Sequence, residues 1–452
     1  MRSTRLSLHL CLLGLSLCTP GAAAATGREP FFPVAGSHYY DVSSYRVRLA
    51  YEPQHGGRVR ATVRIRAVAL RKIEDYFLLD YLGPRVTQVE VDGRAARSER
   101  EGAKLGIYFP EETIPKGQAF AVTVSYRGVP PKVTDPDGSE EGWYPTDDGV
   151  IAVGEPQGTA AWIPCNNVPS DKASFSFEVT VPAGLRAVAN GRQGRVVRSG
   201  GRATYTWVEP GPMSTYLALL NIGRGQIVKS RVGKLPAWTL IDPRLERSRE
   251  QLAELPGIVR FLSGLYGAYP FETAGSVVDY APALGYALET QSRPIYAFVP
   301  DLTTVVHETA HQWFGDSVGL QRWPQIWLNE GFATWSEWYY AERHGGRSAQ
   351  AIFARLYRVP ASNTEFWNPP SARPGSPKHL FGPSVYIRGG MALQALREKI
   401  GTKTMLVLLR RWATSHRHGS ANIGEFTALA EQLSGRDLGP LFQRWLYQRG
   451  KP

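Results

Sequence analysis

Cysteine is nearly absent, with three residues in 452. Two of them, Cys11 and Cys18, fall in the first twenty residues, so a chain processed there keeps Cys165 alone. A single thiol forms no internal disulfide. That excludes a disulfide-stapled scaffold and leaves the core, or a metal, to hold the fold. Long apolar runs are missing too. The one such stretch, residues 6–17, is shorter than a membrane span needs. It follows Arg2 and Arg5 and precedes Ala22, Ala23, Ala24 and Ala25, which is the order of a cleavable secretory signal over residues 1–25. The expectation is a secreted or otherwise extracytoplasmic protein with no integral span in the mature chain. Blocks of like charge are also lacking. The net charge is +12, or +10 without Arg2 and Arg5, but it is scattered, and only 11 of the 52 basic residues are Lys. Without a basic stripe and interleaved aromatics, a nucleic-acid partner is not expected. Richness in Arg, Gly and Ala fits a GC-rich, bacterial genome.

What is present divides the chain in two. A length of 452 residues exceeds one ordinary core. Residues 45–51 and 59–66 alternate apolar and polar side chains, as half-buried strands do. Residues 86–91, 120–126, 175–181 and 203–208 continue the pattern between turn signals such as Asp92-Gly93 and Asn190-Gly191. An all-β domain over residues 26–230 is predicted. Helical spacing then takes over: residues 244–265, 303–315, 327–342, 385–400, 402–415, 423–433 and 438–449 read as helices, with a loop over 360–383. Residues 276–280 and 286–292 read as strands. The fold class is therefore α+β, a β domain followed by a mainly helical domain over residues 231–452.

The second domain contains His307-Glu308-Thr309-Ala310-His311. Two His four residues apart share one helix face and can grip one metal ion. Glu308, between them, is close enough to act on water at that metal. A third ligand is expected from a neighbouring helix, and Glu330 provides it, separated from His311 by eighteen residues, enough for a turn and a reversal. Two His and one Glu leave a fourth position open, the mark of a catalytic rather than a structural zinc. Standing alone, Glu330 also reads as a helix-start carboxylate facing the dipole. Glu337, two turns past Glu330, is either a partner for a metal-bound His or a solvated carboxylate.

His-Glu-x-x-His, eighteen residues, then Glu within Trp-Leu-Asn-Glu-Gly-Phe-Ala (residues 327–333) resembles the zinc metallo-aminopeptidases. These are gluzincins that include alanyl and leucyl aminopeptidases, aminopeptidase N and the leukotriene hydrolases. The resemblance covers nearly the whole mature chain. It implies a saddle-like β domain, a thermolysin-like catalytic domain, one Zn2+ ion on His307, His311 and Glu330, and peptide substrates with a free N-terminus. It implies that Glu308 is the proton-transfer residue. The family's Gly-Ala-Met-Glu-Asn segment corresponds to Tyr286-Ala287-Leu288-Glu289-Thr290, which places Glu289 on the substrate's amine while Tyr286 replaces Gly and Thr290 replaces Asn. The stretch ending in Ile163-Pro164-Cys165 implies that Glu155, with Gln157 as the alternative, also faces the amine. Tyr386, ahead of Gly389-Gly390, corresponds to the family's oxyanion donor. Larger family members continue into further domains, so a two-domain enzyme with an open cleft is expected. Two alternatives stay open: a zinc endopeptidase without a strict free-amine requirement, and a binding protein with an inert zinc site.

Overall fold

The computed structural model describes residues 29–109 and 113–452. The expected signal, residues 1–25 with Cys11 and Cys18, lies outside them. Alternation sets the first half. In strand Tyr40–Glu52, Tyr45, Val47 and Leu49 are buried while Arg46 and Arg48 face solvent. Strand Arg58–Ala69 repeats the pattern beside it, antiparallel. Both lie inside an eight-stranded sheet, in which Tyr40–Glu52 also pairs in parallel with Lys172–Pro182. A second sheet has five strands, in the order Arg186–Ala189, Leu220–Gly223, Val150–Val153, Glu140–Pro145 and Lys132–Thr134. Trp207 joins the two sheets, its indole N–H donating to the Ala187 carbonyl at 2.9 Å. A third, three-stranded sheet completes this half, which bears out the all-β reading. Cys165 is buried and unpaired.

The second half begins with strands that the sequence pattern hides. Gln226–Val232 and Leu235–Ile241 form a hairpin, and Leu235–Ile241 pairs in parallel with Ala274–Val278. A division after residue 230 therefore cuts a strand, and hydrogen bonding moves the break ahead of Gln226. This edge strand buries little besides Val232, so it shows no alternation to read. The sheet ends in Ile295–Tyr296 and the edge strand Ala287–Leu288, only two residues of the expected strand over 286–292. The backbone then turns sharply, with Ser292 at φ +64°. The single helix expected over 244–265 is two, Ser248–Leu252 and Leu255–Tyr266. Pro256 lacks an N–H and sits in the first turn of the second piece, where none is needed.

Helix Leu302–His311 starts as predicted, with the Asp301 carboxylate accepting from Thr304 N at 2.7 Å. It stops at His311, short of the expected Gly315, because the Phe314 carbonyl accepts from His311 Nδ1 at 3.0 Å and the chain leaves through Gly315 at φ +134°. Helix Trp327–Arg343 packs beside it and crosses helix Gly389–Ile400 at bare backbone. A Cβ on Gly331 would lie 2.9 Å from the Gly389 carbonyl carbon, so both glycines are required for this approach. Residues Ser384–Arg388 form a π turn where a regular helix from 385 was expected. The fully buried Arg388 guanidinium donates to the carbonyls of Trp367, Arg444, Trp445, Gln448 and Gly450. Those carbonyls turn toward Arg388, so residues 438–449 form a short helix, Gly439–Phe442, and a π turn, Gln443–Tyr447, rather than one helix. The expected loop over 360–383 includes the short helix Thr364–Trp367. Among the described residues no helix is long and apolar enough to cross a membrane.

Candidate active site

The helix spacing puts His307 and His311 on one face, and the packed neighbouring helix brings Glu330 to them. His307 Nε2 and His311 Nε2 each lie 3.3 Å from the same oxygen, Glu330 Oε2. Three ligands on a tetrahedral metal with bonds near 2.0–2.1 Å stand about 3.3–3.4 Å apart. The spacing to Glu330 already matches that edge. The other ring nitrogens settle which atoms face the metal. A backbone carbonyl only accepts, so His311 Nδ1 carries the hydrogen given to Phe314 O, leaving Nε2 a bare lone pair. His307 Nδ1 lies 2.5 Å from Glu337 Oε1, which fixes its ring in the same sense and resolves the two readings of Glu337 in favour of a His partner. Burial pushes the Glu330 carboxyl up, but the two imidazoles outweigh it and hold the group down at about 2. It is a carboxylate at any working pH.

Acidic groups crowd the rest of the pocket. Glu308, Glu289 and His311 offer ligand atoms within 4.8 Å of one another, and so do Glu155, Glu289 and Glu330. Glu289 is 3% exposed, and its Oε1 accepts no hydrogen bond; Glu155 Oε1 is buried and equally without a donor. Burial and then the Glu289 charge push Glu155 well up; burial also raises Glu289, which His311 pulls back. Two buried carboxyls with orphan oxygens, side by side, call for a cation between them. Burial raises Glu308 to about 8, with the imidazoles opposing. The Tyr386 ring stacks on His307 with centroids 5.9 Å apart and planes 13° apart. Burial, and then the charges of Glu330 and Glu155, keep its hydroxyl protonated. The three ligand candidates, Glu308, Glu289, Glu155 and Tyr386 thus form one cluster, Glu155 from the first half and the other six from the second.

Sequence reasoning misses Gln312. Its Nε2 donates to the Glu289 carbonyl at 3.0 Å, and its Oε1 accepts from Ser292 N at 2.8 Å. The residue that follows His311 therefore locks the segment bearing Glu289, just past strand Ala287–Leu288, to the helix bearing the two His. Its adjacency to the motif is the one signal available. Lys172 is missed as well. It is half-buried, and it reaches from the first half to the carbonyls of Asp316 and Ser317 at 2.7 and 3.0 Å, just past the metal-site helix. Arg293 does the same service nearby, stacking over Trp207 at 4.6 Å and donating to the Gly191 carbonyl at 2.8 Å.

A model of the peptidase family M1 domain matches residues 300–445, and one of the peptidase M1 N-terminal domain matches residues 55–217. The leucyl aminopeptidase of Saccharolobus solfataricus is 24% identical over 430 residues, 85% of this chain and 51% of that protein. The mitochondrial aminopeptidase 2 of Saccharomyces cerevisiae is 24% identical over 66% of this chain and 34% of its own length. The chain thus spans about half, or less, of the length of these curated relatives. An M1 zinc metallopeptidase from Deinococcus radiodurans superposes with a TM-score of 0.83 at 27% identity, covering 94% of this chain and 97% of that one. A mutant of it bound to a Tyr-Ser-Ala substrate gives a TM-score of 0.82 at the same identity and coverage. Fold and site together follow the plan of the M1 zinc metallopeptidase structures. The chain carries both the catalytic and the N-terminal domain of the peptidase M1 family and belongs to it.

Proposed function

We propose that this protein is a zinc aminopeptidase that removes the first residue of peptides with a free N-terminus. The observation that carries this reading is the pair of orphan carboxyl oxygens of Glu155 and Glu289 beside the metal ligand Glu330. They suit an ammonium, they repel a second carboxylate, and a blocked amine leaves them unpaired. His307, His311 and Glu330 would hold one zinc ion. The ion supplies Lewis acidity, acidifying water and polarising a carbonyl. The chain does the rest. Glu155 and Glu289 fix the amine, so the first peptide bond lies at the metal ligands. Glu308 takes the proton from the attacking water and delivers it to the leaving amine. Tyr386 donates its hydroxyl to the oxyanion that forms. The aminopeptidase names of the relatives and the tripeptide bound to a neighbour support the same reading. Export belongs to this proposal too, resting on the signal-like residues 1–25.

The test compares an aminoacyl chromogenic substrate, or a short peptide, with its N-acetylated form. The free-amine form should be cleaved at least about a hundredfold faster, the scale for leaving built polar groups unpaired. Comparable rates on both would replace this reading with an endopeptidase. Tyr386→Phe should lower kcat by roughly 10²–10³, the cost of one oxyanion donor, and leave the thermal unfolding midpoint in place. A variant with unchanged kcat would take Tyr386 out of the chemistry.

A further inference from the structure

The two amine-facing carboxylates come from different halves of the chain, and they are like charges within 4.8 Å of each other. Left unsupported, they would spread apart. Two consecutive residues of one strand hold their carriers. The Glu140 carbonyl accepts from the Tyr286 hydroxyl at 2.8 Å, and Tyr286 directly precedes the edge strand Ala287–Leu288 that leads to Glu289. The Glu141 carboxyl Oε1 accepts from Gln157 N at 2.8 Å, two residues past Glu155. Strand Glu140–Pro145 is itself pinned on both sides, to Lys132–Thr134 and to Val150–Val153. The Glu155 loop seats on it without clearance. A Cβ at Gly158 would come 2.5 Å from Gly142 N and 2.7 Å from Glu141 Oε2.

We propose that strand Glu140–Pro145 acts as a spacer for ammonium recognition, with Tyr286 and Glu141 as positioning residues that set the gap between Glu289 and Glu155. The proposal rests on the aminopeptidase reading. It also gives Tyr286 a task. Where the family resemblance leads one to expect Gly, this chain places a ring whose hydroxyl reaches 146 residues back along the sequence to the other half. Glu141 is fully buried, and its Oε2 and Asp135 Oδ2 accept from no donor. Burial and then the neighbouring Asp135 charge raise the Glu141 carboxyl, and Asp135 is raised to about 7 by burial. Glu141 meets Gln157 N–H through an oxygen that an amide also offers. Glu141→Gln keeps that acceptor and supplies a donor to Asp135, whereas Glu141→Leu removes both.

The experiment measures inhibition of the full-length, zinc-loaded protein by leucine hydroxamate and by the same hydroxamate lacking the α-amino group. Both chelate the metal, so the ratio of their inhibition constants reads the amine site alone. The parent should prefer the amine-bearing compound. Tyr286→Phe and Glu141→Leu should each shrink that preference by roughly three- to tenfold, the worth of one hydrogen bond, and Glu141→Gln should retain it. For leucyl substrates the first two variants should raise KM with kcat held. An undiminished preference in both variants overturns the spacer while leaving the aminopeptidase reading intact. Equal weakening of both hydroxamates overturns it as well, since that reports a loosened metal pocket. A parent with no amine preference brings down the aminopeptidase reading and the spacer with it.

Discussion

Glu308→Gln is expected to keep its zinc and lose roughly 10²–10⁴ in kcat, the range for removing a positioned general acid–base. The amide matches the carboxylate in shape, so the packing around a side chain that is 6% exposed survives. What it lacks is basicity. Glu308 sits on the metal-site helix between the two His ligands, with an oxygen within 4.8 Å of ligand atoms on His311 and Glu289. That position suits a proton moving from water to the departing amine. Because His307, His311 and Glu330 are untouched, metal content measured on the same sample separates chemistry from binding. A fully metallated Glu308→Gln protein with near-parental turnover would remove Glu308 from the mechanism.

The second large effect falls on metal binding. Glu330→Ala should lose affinity for zinc by more than the roughly 10–100-fold that an outer partner costs, because the missing oxygen is a direct ligand. Both imidazoles aim Nε2 at that one atom, 3.3 Å away in each case. Its loss removes a corner of the tetrahedron and the negative charge. Zinc-to-protein stoichiometry after dialysis checks this, and turnover should fall in step and recover in part with added zinc. Stoichiometric zinc in the dialysed variant would show that another carboxylate, such as Glu289, holds the ion.

The metal pocket was legible in the sequence because its geometry is mostly local. Helical pitch alone puts His307 beside His311, and a short excursion returns the chain at Glu330. The strands of the first half were legible where one face is buried. Gln226–Val232 was not, since an exposed edge strand has no apolar face to alternate with. The break at Ala253 and Glu254 was hidden because apolar spacing runs on through both helical pieces. The π turn under Tyr386 follows from Arg388 reaching carbonyls near residues 367 and 444–450, a set of partners no window of sequence contains. Tyr286 and Gln312 were obscure for the same reason. Their bonds to Glu140 and Glu289 span 146 and 23 residues.

The Glu29 carboxylate, at the start of the described chain, accepts from Trp323 N at 2.8 Å, across 294 residues. Trp323 opens the turn that feeds the helix carrying Glu330. Synthesis runs from the N terminus, so Glu29 emerges early and waits for a partner made near the end. Together with the parallel pairing of Tyr40–Glu52 with Lys172–Pro182, this makes assembly a late event with high contact order. The turn that leads into the Glu330 helix therefore closes on a residue from the beginning of the chain, and that contact can form only after synthesis has passed residue 323.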